Sequence, residues 1–371
     1  MTATLLVIAT GLILAYGNGA NDNFKGVATL FGSGTTDRKT ALAWATFTTL
    51  LGSACAIWLS AELLARFSGK GIVDASLTAD AGFVTAVAIA AGLTVLLATR
   101  VGMPVSTTHA LVGGLTGAAL ASTSGIHWDI LGNKFFIPLL LSPIIALTAT
   151  TLLYPVFRKI RKATGLKSNT CFCVDVETIE TVPAMSTELA MVRAEALTAS
   201  MGTTVTCQQR YEGRILGINA AATLDAAHYA SAGLMSFARG LNDTPKIAAL
   251  FLVAPIISPV GALCLCGAAI AIGGIISSRR VAETMSTEIT PMNAGQGFTA
   301  NLVTGLTVIT ASKWGLPVST THVSCGSLFG LGAATGGAKW KAIGTILLAW
   351  VVTLPLAALL AALAYKALKT I

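Results

Sequence analysis

The segment VGMPVSTTH at 101–109 returns almost letter for letter as WGLPVSTTH at 314–322, and GANDNFK at 19–25 returns as GLNDTPK at 240–246. Two polar signatures repeated in the same order mark a duplicated unit, so each half must fold on the same local plan. Both pairs lie inside long apolar stretches. There Asn, Asp, Lys, His and clustered hydroxyls are costly to bury and are kept for a polar substrate or an ion. The duplication therefore points to a transport site built from both halves.

The surrounding sequence is made for lipid. Hydrophobic residues are 54% of the chain and charged residues only 11%, which predicts an all-α polytopic membrane protein. The net charge of +8 does not point to nucleic acid, because Arg158, Lys159, Arg161 and Lys162 directly follow an apolar segment and other basic residues flank further segments, as membrane topology requires. No basic residue precedes the apolar run that begins at Thr4, so that run is expected to be a retained segment rather than a cleaved signal. The seven cysteines are scattered and imply no disulfide framework.

A membrane helix needs about 20 apolar residues. Five such runs lie near 4–30, 41–60, 83–99, 105–121 and 135–157, and five more near 218–254, 256–277, 298–312, 318–337 and 342–365. About five segments per half, an odd number, sends the second copy into the membrane from the opposite side and gives an inverted-topology repeat. Threading from an outside amino terminus places Arg38, Lys39, Arg100, the 158–162 cluster, Arg279, Arg280, Lys339 and Lys341 inside, against Arg66, Lys70, Lys134, Lys313, Lys366 and Lys369 outside. The segments carrying the two PVSTTH elements are short and start with polar residues, so a re-entrant hairpin that does not cross is the alternative for each. The expected organisation is a first membrane repeat at 1–157, a cytoplasmic linker or small insert at 158–214, and a second repeat at 215–371. Within the insert, CFCVDVETIETV at 171–182 and TTVTCQQRY at 203–211 alternate like strands, and ELAMVRAEAL at 188–197 has the pattern of a short helix. Cys171, Cys173 and Cys207 do not make a clear four-ligand metal set.

The repeated motifs suit anion chemistry. Pro104 and Pro317 fit the first turn of a helix, where a missing amide proton costs nothing. Ser106, Thr107 and Thr108, and likewise Ser319, Thr320 and Thr321, then place hydroxyls and free N–H groups at the positive end of a helix dipole, and two such ends can face one oxyanion. Glycines recur after each motif, Gly113 and Gly117 against Gly326 and Gly330, as a small-residue stripe for close helix packing. Gly19 and Gly240 offer a flexible point before Asn21-Asp22 and Asn242-Asp243, residues able to cap a half-helix and to bind Na⁺ or accept a proton, so broken helices are expected there. Lys25 and Lys246, one turn further on, can pair with those aspartates or face the anion. His109 and His322 can gate protons or tie down a helix start. Asp225 and His228 read as interfacial, and Arg239 as either lining the anion path or capping carbonyls.

These motifs resemble the PiT family of inorganic phosphate transporters, whose signature is a duplicated GANDxxN-type element with a PVSTTH-type element in each half. The resemblance covers both membrane halves. It implies an inverted repeat, phosphate bound between broken helices by Asn21, Asp22, Ser106, Thr107, Thr108, Asn242, Asp243, Ser319, Thr320 and Thr321, and Na⁺ or H⁺ coupling with no other cofactor. It also implies a homodimer in the cytoplasmic (inner) membrane and no enzymatic activity. One departure occurs in both halves: the family usually has Asn where this chain has Lys25 and Lys246, which predicts weaker Na⁺ dependence or proton coupling. A sulfate or related oxyanion permease and a passive anion channel are the alternatives. An intramembrane aspartyl protease is disfavoured by a lysine beside each aspartate, and no GxxxxGK[ST] loop suggests an ATP-driven pump.

Overall fold

Long apolar runs become helices because lipid offers their backbone polar groups no other partner. The computed structural model describes residues 2–69, 71–122, 125–164, 170–181, 192–203, 218–254 and 256–370. Ten principal helices follow in order: α1 (Thr2–Asp22), α2 (Arg38–Leu59), α3 (Ala81–Arg100), α4 (Thr107–Ala121), α5 (Ile137–Ala163), α6 (Ala220–Ala248), α7 (Pro259–Ser277), α8 (Ala294–Lys313), α9 (Thr320–Thr335) and α10 (Trp340–Lys369). They match the ten predicted segments. Six helical stretches among the described residues are long and apolar enough to cross a membrane. The 15 residues of α4 and 16 of α9 are shorter than a span. Each is reached from the preceding helix through a tight turn, at Gly102 and Gly315, whose φ of 76° and 65° belong to the left-handed region.

The chain divides into two compact units, one of Met1–Pro155 with His228–Ile371 and the other of Val156–Ala227. In the first, polarity runs inside out relative to a water-soluble protein. Leu140, Leu141, Ile144 and Ile145 on α5 and Leu347, Leu348, Val351 and Val352 on α10 are exposed, whereas Asp22, Lys25, Arg239, Asp243 and Lys246 are buried. This is the distribution lipid imposes.

Helices of one half lie on helices of the other. A Cβ on Gly19 of α1 would stand 1.9 Å from the Ile270 carbonyl oxygen of α7, and one on Gly240 of α6 would stand 2.1 Å from that of Thr49 in α2. Gly113 and Gly117 of α4 meet the backbone of α10 in the same way, as Gly326 and Gly330 of α9 meet that of α5. Each of these crossings therefore has its counterpart with the halves exchanged, and the predicted glycine stripe is the surface that makes two of them. The flexibility expected of Gly19 and Gly240 is corrected by these contacts. Both sit inside continuous helix, and they are glycine because a neighbouring backbone occupies the place of a side chain. The first α-helix does end, but after Asp22, where a 3₁₀ turn spans Asn23–Gly26. In the second half α6 runs through Asn242 and Asp243, and the 3₁₀ turn comes at Ala249–Val253.

The second unit holds a three-stranded antiparallel sheet in the order β2-β1-β3, with β1 at Thr170–Thr181, β2 at Val192–Thr203 and β3 at Ile218–Asn219. The strand expected at 171–182 is present up to Thr181. The helix expected at 188–197 is overturned from Val192 onward, because Val192 to Thr203 pair with Thr181 to Thr170 in unbroken register and the ladder takes up the backbone groups a helix would have paired internally. Of the strand expected at 203–211 only Thr203 is described; the remainder, with Cys207, lies outside the described residues.

Candidate functional site

The Asn-Asp-x-x-Lys spacing puts three polar side chains on one helical face, since residues three and four apart are neighbours. On α1 and the following 3₁₀ turn, Lys25 Nζ donates to Asn21 Oδ1 at 2.8 Å and to Asp22 Oδ1. On α6, Lys246 Nζ donates to Asn242 Oδ1 and, at 3.4 Å, to Asp243 Oδ1. Each ammonium also reaches the PVSTTH elements. Lys25 donates to the Val105 carbonyl at 3.1 Å and to Thr321 Oγ1 at 2.7 Å, and Lys246 to the Val318 carbonyl at 2.7 Å and to Thr108 Oγ1 at 2.8 Å. Each lysine thus takes a carbonyl from its own half and a hydroxyl from the other. The two asparagines are fixed alike, Asn21 donating to Thr99 Oγ1 at 2.9 Å and Asn242 to Ser312 Oγ at 2.8 Å, five residues before each proline.

The PVSTTH elements divide their hydroxyls by position. Ser106 and Ser319 are the N-caps of α4 and α9 and accept the backbone N–H of His109 and His322 at 3.1 and 3.2 Å. This corrects the expectation that Pro104 and Pro317 begin the helices: each lies two residues ahead of the cap, where its fixed φ aims the chain into the first turn. The serine Oγ accepts, so its own O–H remains a donor. Thr107 donates to Asp22 Oδ2 at 3.4 Å and Thr320 to Asp243 Oδ2 at 3.1 Å, while Thr108 and Thr321 donate across the halves to the Val318 and Val105 carbonyls at 3.3 and 2.8 Å.

The two aspartates converge on one group. Asn18 Nδ2 lies 3.0 Å from Asp22 Oδ2, 3.4 Å from Asp243 Oδ2 and 3.0 Å from Thr107 Oγ1. Two carboxylates, two helix N-termini and their hydroxyls therefore surround one buried point. Beside it, Arg239 is only 1% exposed and donates to Asn18 Oδ1 at 3.3 Å, Asn23 Oδ1 at 3.0 Å and Thr49 Oγ1 at 3.3 Å. Arg239 thus faces the polar core. Asn18 stands where Arg239 stands in the second copy, counting back from the Gly-x-Asn-Asp that both motifs share, so the symmetry of the core fails at that position, as it does at Asn23 and its counterpart Thr244. Two carboxylates and three cations leave one formal positive charge in excess.

His109 and His322 meet directly, with ring centroids 4.3 Å apart and planes at 85°. Trp350 stacks on His322 at 3.8 Å and donates its indole N–H to the Pro104 carbonyl at 3.1 Å. His109 Nδ1 and His322 Nε2 are buried and have no hydrogen-bond partner among the described residues. His228, expected at the interface, is buried instead, with its ring nitrogens 3.0 and 3.3 Å from the Thr29 and Thr35 hydroxyls; Asp225 is exposed. Sequence reasoning missed Asn18, Thr99, Ser312 and Trp350. For Asn18 there was a signal, its position four residues before Asp22.

A sequence model of the Phosphate transporter family matches residues 18–361, both motif pairs included. The chain belongs to that family. It is accordingly a multi-pass membrane transporter and not an enzyme. Among curated relatives, it is 29% identical to a probable low-affinity inorganic phosphate transporter of Rhizobium meliloti (strain 1021), over 97% of this chain and 95% of that protein. It is 26% identical to a protein of the same description from Mycobacterium leprae (strain TN), over 97% of this chain and 77% of the other. A solved structure, "The sodium-dependent phosphate transporter", is 21% identical and superposes with a TM-score of 0.77 over 100% of both chains, which establishes the shared fold.

Proposed function

We propose that this phosphate transporter family member is a secondary-active symporter that carries inorganic phosphate across the cytoplasmic membrane together with a cation, Na⁺ or H⁺. The observation that carries the reading is the approach of Asp22 and Asp243 to the single amide of Asn18, between the N-termini of α4 and α9. An anion there would meet the positive ends of two helices and a formal excess of one cation. Asn21, Asp22, Lys25, Ser106, Thr107, Thr108 and their counterparts Asn242, Asp243, Lys246, Ser319, Thr320 and Thr321 form the substrate set, with His109 and His322 as gating residues. The Ser O–H groups donate to the anion, and the Thr O–H groups do so on turning from the aspartates and carbonyls they otherwise meet. The aspartates accept from it, which selects phosphate over sulfate: protonated phosphate brings its own O–H donors, whereas sulfate at neutral pH brings none and would leave buried carboxylates unpaired.

The exchange of partners between equivalent helices supports a duplicated unit, read here as an inverted-topology repeat, and a homodimer would cover part of the exposed apolar surface of α5 and α10. The test is labelled-phosphate uptake by proteoliposomes. A symporter accumulates phosphate above its external concentration, loses that accumulation when the ion gradient is collapsed, and is inhibited by arsenate but weakly by sulfate. Uptake that only equilibrates would make the protein a passive anion channel, and strong competition by sulfate would make it a general oxyanion permease.

A further inference from the structure

The surroundings of the two lysine nitrogens are those of a small hard cation. Lys25 Nζ has four oxygen partners of four chemical kinds: the amide oxygen of Asn21, a carboxylate oxygen of Asp22, the Val105 carbonyl and the Thr321 hydroxyl. Lys246 Nζ has the same four kinds in the same order, from Asn242, Asp243, Val318 and Thr108. An ammonium has three protons, so four close oxygens exceed what it needs for ordinary hydrogen bonding. Oxygens from carboxylate, amide, backbone carbonyl and hydroxyl gathered around one positive centre are instead the ligand set that membrane carriers offer Na⁺. Both lysines are buried, at 2% and 1% exposure, so neither reaches solvent as a snorkelling side chain would.

We propose that the ammonium groups of Lys25 and Lys246 are built-in cations occupying the two positions a coupling Na⁺ would take, so that this chain moves its anion without binding Na⁺ there. A tethered charge supplies what a bound ion supplies: it neutralises the aspartate, draws the Val105 or Val318 carbonyl inward, and orders the threonine of the opposite half. It cannot dissociate, and so it cannot couple transport to a Na⁺ gradient. The duplication makes the substitution complete, because a lysine in only one half would leave one oxygen cage free for a metal ion.

The inference deepens the carrier reading given above and rests on it only for the transport measurement. The test uses the purified full-length chain, with ²²Na⁺ binding measured by scintillation proximity in detergent. The wild type is expected to bind no saturable Na⁺. Lys25→Asn and Lys246→Asn, which remove the tethered charge while offering an oxygen in its place, are each expected to create one Na⁺ site, and the double variant two. In proteoliposomes, wild-type phosphate counterflow is expected to run equally in Na⁺ and in choline, while each Asn variant becomes stimulated by Na⁺ on the order of tenfold, the scale of one 1.4 kcal/mol contribution. Saturable Na⁺ binding to the wild type, wild-type counterflow that stops in choline, or well-folded Asn variants that still bind no Na⁺ would each overturn the proposal. If an Asn variant fails to fold, the wild-type binding measurement still decides. If the wild type moves no phosphate in either salt, the carrier reading fails while the ²²Na⁺ result still judges the lysines.

Discussion

Removing a buried ammonium together with its carboxylate should cost less than the sum of removing each alone. Lys246 donates to four buried oxygens and sits 3.4 Å from Asp243 Oδ1. Among the described residues, Lys246→Met would leave the Asp243 carboxylate with only neutral donors in contact, Thr320 at 3.1 Å and Asn18 at 3.4 Å. Breaking a buried pair in this way costs about 3–5 kcal/mol. At 1.4 kcal/mol per decade that lowers the folding equilibrium constant by roughly two to three and a half orders of magnitude. Asp243→Asn alone keeps the acceptors Asn242, Thr108 and Val318 for Lys246 but strands its charge, so a loss of similar order is expected. In Asp243→Asn combined with Lys246→Met neither member of this pair is left charged without the other, and the double variant should recover about 1–3 kcal/mol relative to the sum of the singles. The assay is equilibrium unfolding in mixed micelles followed by tryptophan fluorescence, run on all four proteins as a double-mutant cycle. A Lys246→Met protein as stable as wild type, or a double variant whose loss equals the sum of the single losses, would refute the claim that these charges stabilise each other inside the protein.

Other consequences follow from particular contacts. Gly117→Ala would place a Cβ 1.9 Å from the Ala358 carbonyl oxygen, and forcing α4 from α10 should destabilise the protein by about 1–3 kcal/mol in the same unfolding assay. Trp350→Phe keeps a ring against His322 but gives up the bond to the Pro104 carbonyl, a loss of about 1 kcal/mol, whereas Trp350→Ala should lose about 3–5 kcal/mol. Asp37, the exposed N-cap of α2, accepts from the Thr40 hydroxyl and from the Thr40 and Lys39 amides, and these bonds hold its carboxyl below the ordinary value of 3.8. A depressed carboxyl stabilises the folded state fully above that value and loses the contribution as pH falls through its own lower value. Asp37→Asn should therefore flatten the acid limb of the stability profile, and an unchanged limb would contradict the cap assignment.

The polar core was legible in the sequence to the extent that it was written twice. Asp22 with Asp243, and the threonines of the two PVSTTH elements, stood out because identical letters in apolar surroundings have few other uses. The exchange of partners was not legible: nothing local says that Lys246 takes the hydroxyl of Thr108 rather than that of Thr321, because such pairings depend on how the halves pack. Gly19 and Gly240 were misread because glycine serves flexibility and close backbone approach with the same letter. The helix starts were read three residues early, at Pro104 and Pro317 instead of Thr107 and Thr320, because the serine, not the proline, caps the first turn. Arg239 and Asn18 were hard to see as partners for the opposite reason, since the repeat differs at that position. In the insert, Val192–Leu197 has a helical pattern alone and becomes strand only beside β1, a tertiary influence that overrides local propensity.

The central claim is that both halves enclose one phosphate between Asp22 and Asp243. It is tested most directly by equilibrium binding of labelled phosphate to the purified protein and to Thr107→Val and Thr320→Val, one substitution from each half. One phosphate per wild-type chain is expected, with either substitution weakening that same site. Two independent sites per chain, each weakened by only one of the substitutions, would contradict it.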